Sequence, residues 1–435
     1  MYNVDSVEPV LTYRVACICK KNGGYLIKKV KVTSLKPGMY IHDLNCSWMD
    51  HGFLKNNFKV DDASIVKQII KQGLKEVYID TEKGTDVSNG VSGVSAKEVK
   101  KELNSAVARI ESNVESKKFH SVESELPRAK AIQREANKVV HQYLEEAKQG
   151  KVPELGRADN VVGEMVDSIY RNKDALEQLG RIRGKDEYTF KHSLNVCILM
   201  VSFCKSIKVD LEETRKVGVG ALLHDIGKMR VADRILNKAS KLTEDEYVEM
   251  KQHVVRGESL LKQANGISTA SIQVAFEHHE RFDGTGYPNQ LKGDQISKYG
   301  QMAAIVDVFD AITADRVYHT GLSSFDGLRK ILEWSGHHFN GDLVQQFIRS
   351  VGVYPAGTLV KLKSGLLAVV MEQGESSLVK PVIKLVYDTK KERFLKPMKV
   401  SMEFPGGKIS DDDAIVSAEK PEKYKIKVED YLDLL

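Results

Sequence analysis

The chain has 435 residues, of which 42% are apolar, 7% aromatic and 29% charged; this is an ordinary water-soluble make-up, long enough for two or three domains with their own cores. The 65 basic residues outnumber the 60 acidic ones by too little, a net charge of +5, to suggest a nucleic-acid polymer as partner; a small anionic ligand would suit a pocket where positive charge gathers. Five scattered cysteines (Cys17, Cys19, Cys46, Cys197, Cys204) argue against a disulfide framework, and no apolar run approaches the ~20 residues that span a bilayer, so a cytoplasmic protein without a membrane partner is expected.

Residues 1–80 read as a small α/β unit. The run RVACICK places Cys17 and Cys19 as buried strand residues, and YLIKKVKVTSLKPGMYI alternates in the strand manner around a Pro37-Gly38 turn. DDASIVKQIIKQGLKEVYID follows with an acidic N-cap, apolar Ile65, Ile69 and Ile70, a stop at Gly73 and a short strand, Val77 to Ile79. Nothing there carries chemistry, so a sensory or interaction role is expected. Residues 81–94, which end in KGTDVSNGVSGV, have the composition of a flexible linker. Residues 95–155 form a helical connector that opens on a Ser95/Glu98 capping-box pattern and is interrupted by Pro127. It reads as a solvated helical hairpin, with a coiled-coil homodimer as the other option. Residues 156–352 are almost wholly helical in pattern and hold most of the histidines, and 353–435 alternate like strands with Gly-Ser turns, a small β-rich appendage. The fold class is mainly α.

Chemistry concentrates in the helical stretch. GALLHDIGK puts adjacent His224 and Asp225 on an apolar helix, about 100° apart, so both can lean into one cleft. A hydrogen-bonded His-Asp couple satisfying itself is the alternative, and the Gly227-Lys228 that follows tilts the reading towards a site. His192, His253, His278 and His279 fall on the same helical text, and each alone could be an ordinary core or surface histidine. Asp307, inside the apolar run MAAIVDVFDAIT, is harder to place without a cation, because burying an unpaired charge costs several kcal/mol; Asp310 reads as a helix-surface or supporting residue. Five histidines and two aspartates make a ligand set for two metals. Mixed imidazole and carboxylate suits iron, manganese, zinc, cobalt or nickel better than calcium or magnesium. Two such ions about 3.5–4 Å apart, with a bridging carboxylate and hydroxide, are the usual machinery of phosphoester hydrolysis, with Lys228 and Arg316 available to neutralise charge.

His192, HDIGK at 224–228, His253, HHERFDGTGYP at 278–288 and DVFDAITADRVY at 307–318 together resemble the HD-GYP phosphodiesterases, bacterial hydrolases of cyclic dinucleotide second messengers. The likeness covers roughly residues 180–350 and implies an all-helical HD-type catalytic domain. It implies that His192, His224 and Asp307 hold one divalent transition metal, iron or manganese first, and His253, His278 and His279 the other, with Asp225 bridging. Lys228 and Arg316 would contact the scissile phosphate, Lys228 assisting the leaving alkoxide. Gly286 and Tyr287 of the GYP loop would line the substrate groove or dock a protein. Some members place a third-metal glutamate one turn before the first histidine; here Tyr188 stands there and Glu187 points about 100° away, so two metals are expected. His319 stands where the family often has a lysine or arginine, and His337-His338 match no ligand position and read as capping or surface structure. The N-terminal unit resembles a domain of unknown role fused ahead of many HD-GYP modules.

The resemblance implies hydrolysis of cyclic di-GMP or 3'3'-cyclic GMP-AMP to a linear dinucleotide, with mononucleotides as a further step. A catalytically silent cyclic-dinucleotide sensor acting through the GYP loop or the N-terminal unit is the rival, and an HD hydrolase of nucleoside polyphosphates leaves the GYP segment without a purpose.

Overall fold

The computed structural model of the chain describes residues 27–44, 57–71, 74, 76–81, 83–86, 120–181, 188–238, 240, 242–314, 321–374 and 376–432. The expectations for Cys17, Cys19, Cys46, Ser95, Glu98, Arg316 and His319 lie outside these residues. The chain divides into two compact units, Met1–Glu102 and Leu103–Leu435.

In the first unit the strand-like alternation forms a four-stranded antiparallel sheet of order β1-β4-β2-β3. Its strands are β1 (Ile27–Lys31), β2 (Tyr40–Asp43), β3 (Phe58–Lys59) and β4 (Glu76–Asp80), with helix α1 (Ala63–Lys71) between the last two. The alternate residues Val30, Ile41, Val77 and Ile79 are buried with Ile69 of α1, which is what a two-residue side-chain period against one helix produces.

The first helices of the second unit among the described residues are α2 (Val122–Lys148) and α3 (Gly156–Arg181). Here the sequence reading needs correction. Residues 122–148 are not a solvated connector: Leu126, Ala129, Ile132, Ala136, Val139, Val140, Tyr143 and Leu144 recur at helical spacing and are buried in the same core as the helices that follow. The apolar stripe that a coiled-coil dimer would need is covered within the chain. Pro127 does not interrupt α2: the helix runs on through it to Lys148, at the cost of the hydrogen bond its missing N–H would have given the Glu123 carbonyl. Glu125, buried on this helix, accepts two hydrogen bonds from Arg171 of α3 at 2.7 and 2.8 Å.

Helices α4 (Tyr188–Ser206), α5 (Leu211–Leu223), α6 (Asp233–Leu236), α7 (Glu244–Lys262), α8 (Thr269–Glu277), α9 (Lys298–Thr313), α10 (Ser324–Glu333) and α11 (Gly341–Val351) complete the body. Their starts follow the local chemistry. Asp210, Ser268 and Ser297 cap α5, α8 and α9 through side-chain oxygens, and Thr243 with Glu246 forms a capping box on α7. The C-terminal part is a five-stranded antiparallel sheet of order β8-β7-β6-β5-β9. Its strands are β5 (Leu359–Leu362), β6 (Leu366–Glu372), β7 (Val382–Asp388), β8 (Arg393–Ser401) and β9 (Ile415–Ala418). Both faces of its centre are buried, Ala368 and Val370 in one cluster and Leu367 and Val369 in another, and Gln178 of α3 donates a hydrogen bond to the Met371 carbonyl. The sheet is therefore part of the same compact unit as the helices. No helix among the described residues is long and apolar enough to cross a membrane.

Candidate metal centre

Helix ends supply four of the seven residues of this site, and His192, His253 and Asp307 come from within α4, α7 and α9. The HD pair does not lie within a helix, as the sequence reading had it: α5 stops at Leu223, His224 is its C-cap, and Asp225 leads into a 3₁₀ turn, Ile226–Arg230. The switch matters because it turns Asp225 and Lys228 towards the cleft instead of round the helix. Gly227 lets that turn lie against α7, since a Cβ there would come within 1.9 Å of the His253 carbonyl oxygen. His278 is likewise the C-cap of α8, and His279 follows it off the helix.

Three histidines are oriented by the same device. His224, His253 and His278 each have Nδ1 2.7–2.9 Å from the carbonyl oxygen three residues earlier, those of Ala221, Met250 and Ala275. A carbonyl oxygen can only accept, so Nδ1 carries the proton and Nε2 presents its lone pair to the cleft. For His224 and His278 the partner is among the last helical carbonyls, which lack an intrahelical donor in any case. His192, on α4, is held differently: its Nδ1 lies 2.8 Å from Asp310 Oδ2, and its Nε2 3.0 Å from Asp307 Oδ1.

Asp225 stands at the middle. Its Oδ2 lies 3.3 Å from His224 Nε2 and 3.6 Å from His192 Nε2, while Oδ1 lies 3.5 Å from His253 Nε2 and 3.8 Å from His278 Nε2. Ligand atoms of His192, His224 and Asp307 fall within 4.8 Å of one another, as do those of His253, His278 and His279. All are buried except His279, which is nearly so. The Nε2 atoms of His224, His253, His278 and His279, and Oδ1 of Asp225, are buried with no hydrogen-bond partner. Orphaned groups of this kind are rare and costly in a folded protein. The orphaned atoms of His224, His253, His278 and Asp225, with a His279 nitrogen within 4.8 Å of those of His253 and His278, are a donor set for divalent transition metal ions, and the residues fit them.

The electrostatics of the His253, His278 and His279 set agree with that use. Burial, reinforced by Lys228, pushes His253 down to about 4, and burial pushes His279 to about 3 and His278 well below its ordinary value, so all three are neutral and able to donate lone pairs. Burial works against the charged forms of His192 and Asp225 as well. Asp307 and Asp310 outweigh it and hold His192 at about 9, while His224 and Lys228 keep Asp225 well below the carboxylate range. Lys228 Nζ lies 2.5 Å from Asp225 Oδ2 and is the part-exposed member of the pair.

The remaining expectations are placed as follows. Tyr188 opens α4, but its side chain is not among those described. Gly286 is buried against its own chain, where a Cβ would meet the Arg281 nitrogen at 2.3 Å; its glycine serves loop closure, and the expectation of a face open to substrate needs that correction. Tyr287 packs over the His279 ring, with centroids 4.7 Å apart. His337 is exposed and His338 half-buried, the latter accepting the Phe282 N–H through its carbonyl, and neither joins the cluster. Two residues were under-read. Asp310 is buried and orients His192; its spacing three residues after Asp307 on an apolar helix was the available signal. Glu280, also buried, accepts the Asn289 and Leu291 N–H groups at 2.7 and 3.0 Å and so ties down the GYP loop; only its place after the two histidines hinted at it.

A helical body with an HD pair at a helix end and a buried His/Asp cluster defines an HD-domain metal-binding protein, and residues 173–343 match the family model described as HD domain. Residues 27–158 match the model of a domain of unknown function, DUF3391, which reaches past the α/β unit into α2. A cyclic di-GMP phosphodiesterase of Pseudomonas aeruginosa is 34% identical over 405 residues, covering 92% of this chain and 94% of that protein. A 3'3'-cGAMP-specific phosphodiesterase of Vibrio cholerae is 31% identical over 183 residues, 42% of this chain and 35% of that protein. Among solved structures, an HD-GYP-type protein of Bdellovibrio bacteriovorus aligns with TM-score 0.43 and 16% identity, over 74% of this chain and 98% of its own. The chain belongs to the HD-GYP family of cyclic dinucleotide phosphodiesterases, with a DUF3391 domain fused ahead of the HD domain.

Proposed function

We propose that this chain is a metal-dependent hydrolase that opens cyclic di-GMP or 3'3'-cyclic GMP-AMP to a linear dinucleotide, the further cut to mononucleotides using the same site. The observation that carries the reading is the clustering of His192, His224, Asp307, Asp225, His253, His278 and His279, five of which hold a buried donor atom without a hydrogen-bond partner. His192, His224 and Asp307 would hold one divalent ion, and His253, His278 and His279 a second, with one Asp225 oxygen turned to each set. Bound there, iron or manganese, with nickel, cobalt or zinc as other fits, supplies Lewis acidity to phosphate oxygens and lowers the pKa of water.

The chain's own residues do the rest. Asp310 fixes the His192 ring, and the i−3 carbonyls fix three others, so the donor set is preorganised. Lys228, at the part-exposed edge, brings positive charge to the scissile phosphate and can pass a proton from Nζ to the leaving alkoxide. Arg316 is the second cation assigned to that phosphate. Tyr287, stacked on His279, forms the lip where the ligand enters, and the same loop or the α/β unit offers a surface for a protein partner. The buried free thiols Cys197 and Cys204 accord with a cytoplasmic location.

The test is purified protein loaded with Mn(II) or Fe(II) and offered the three common cyclic dinucleotides, with products separated by chromatography and metal counted per chain. A linear dinucleotide and a count near two are expected. Asp225→Ala should abolish turnover; retained turnover would exclude the bridging role. Tight binding without any product would make the chain a sensor.

A further inference from the structure

Beyond the metal cluster, Lys251 stands beside the site, and no acid among the described residues pairs with it. Lys251, half-buried on α7, has its Nζ 5.0 Å from the Tyr247 ring and 5.8 Å from the Tyr287 ring. Both distances fall within the range of cation–π attraction. Among the described residues no carboxylate oxygen comes within ion-pair distance of it, whereas on the same helix Arg256 reaches Glu249 at 2.7 Å and Lys262 reaches Glu258 at 2.7 Å. Tyr287 in turn lies over His279. The ammonium is thus held by two aromatic faces on the flank of the GYP loop, one ring away from the metal cluster, with no acid among the described residues to neutralise it.

Resting on the reading as a cyclic dinucleotide hydrolase, we propose that Lys251 is a substrate-positioning residue that binds the phosphodiester not being cut. A cyclic dinucleotide carries two phosphate anions in one ring. When the cluster and Lys228 engage one, the other still needs a cation, and a partly desolvated lysine without a carboxylate partner is the suitable acceptor. Tyr247 and Tyr287 keep the flexible lysine stem in place at little electrostatic cost, so the ring is gripped at two points. A substrate with a single phosphate gains nothing from this contact.

Lys251→Met and Lys251→Arg are compared with the unaltered, Mn-loaded protein on cyclic di-GMP and on bis(4-nitrophenyl) phosphate, which has one phosphodiester. The expected result for Lys251→Met is a KM for cyclic di-GMP raised about tenfold or more, kcat within about threefold, unchanged metal content and unchanged cleavage of bis(4-nitrophenyl) phosphate. Lys251→Arg should recover most of the KM. An unchanged KM overturns the proposal. So does an equal loss on both substrates with loss of metal, which would make Lys251 a support for Tyr287 and His279. If the unaltered protein cleaves bis(4-nitrophenyl) phosphate but no cyclic dinucleotide, it is the functional reading that fails.

Discussion

Adding one methyl group at Gly227 should dismantle half of the metal site. An alanine Cβ there would lie 1.9 Å from the His253 carbonyl oxygen and 2.5 Å from the Gly257 nitrogen, both backbone atoms of α7 that cannot swing aside. To reach even a 3.0 Å approach, the 3₁₀ turn must retreat from α7 by about 1.1 Å. Asp225 rides on that turn, and its Oδ1 now lies 3.5 Å from His253 Nε2. Retreat along that line opens the gap to about 4.6 Å. Two ligands bound to one ion at about 2.1 Å each can be no more than about 4.2 Å apart. One ion can then no longer be shared by Asp225 and His253. Gly227→Ala should therefore lose metal from the His253 set, drop kcat/KM by about 10² or more, and cost roughly 1–3 kcal/mol through overpacking. Metal content by mass spectrometry, steady-state kinetics and thermal melting read the three effects. Gly163→Ala is the control: it lies in α3, the nearest foreign atom to its Cβ is 4.0 Å away, and it should stabilise the chain by roughly 0.5–1 kcal/mol. A Gly227→Ala protein with full metal content and activity would refute the reasoning.

Other outcomes follow from the same geometry. Asp310→Ala removes the acceptor that orients His192 and should weaken metal binding about 10–100-fold by competitive chelation, while the melting curve of the metal-free chain shifts far less. Glu280→Ala frees the Asn289 and Leu291 amides, so their hydrogen exchange should speed up by the equivalent of about 1.5–3 kcal/mol while exchange in α2 is unchanged. Arg171→Met leaves Glu125 buried without its partner and should cost about 2–3 kcal/mol at neutral pH, less than for a fully buried pair because the arginine is part-exposed. Burial raises the Glu125 pKa, but Arg171 outweighs it and holds the carboxyl below its ordinary value. The pair's contribution is thus present above the ordinary glutamate range and is lost as pH falls through the lowered value. Melting temperatures of the variant and the unaltered chain should converge in acid, and a gap that persists there would count against this assignment.

Individual residues show where the sequence could be read and where it could not. Asp307 declared itself because an aspartate within MAAIVDVFDA has no cheap burial without a cation. The caps at Asp210, Thr243, Ser268 and Ser297 are local chemistry, visible wherever a short polar side chain precedes a helical run. Residues 122–148 misled because charge on one helix face looks the same whether the other face meets solvent, a second copy or the chain's own core; only α3 decides that. Asp310 and Glu280 were under-read for a related reason. Each acts through one contact, on His192 or on the 289–291 backbone, and the partner is fixed by how α9 and the loop pack.

Ligand types and their order along the chain are thus properties of the sequence, because imidazole and carboxylate chemistry travels with the residue. The same holds for the β, helical, β succession, because side-chain periodicity is local. Tertiary structure alone decided that the HD pair sits at a helix end, that each Asp225 oxygen faces a different histidine set, and that Lys251 lies between two tyrosines. Those facts depend on contacts between remote parts of the chain, such as Gly227 and Asp225 with α7 and Lys251 with Tyr287, and only the packing of the helices sets them.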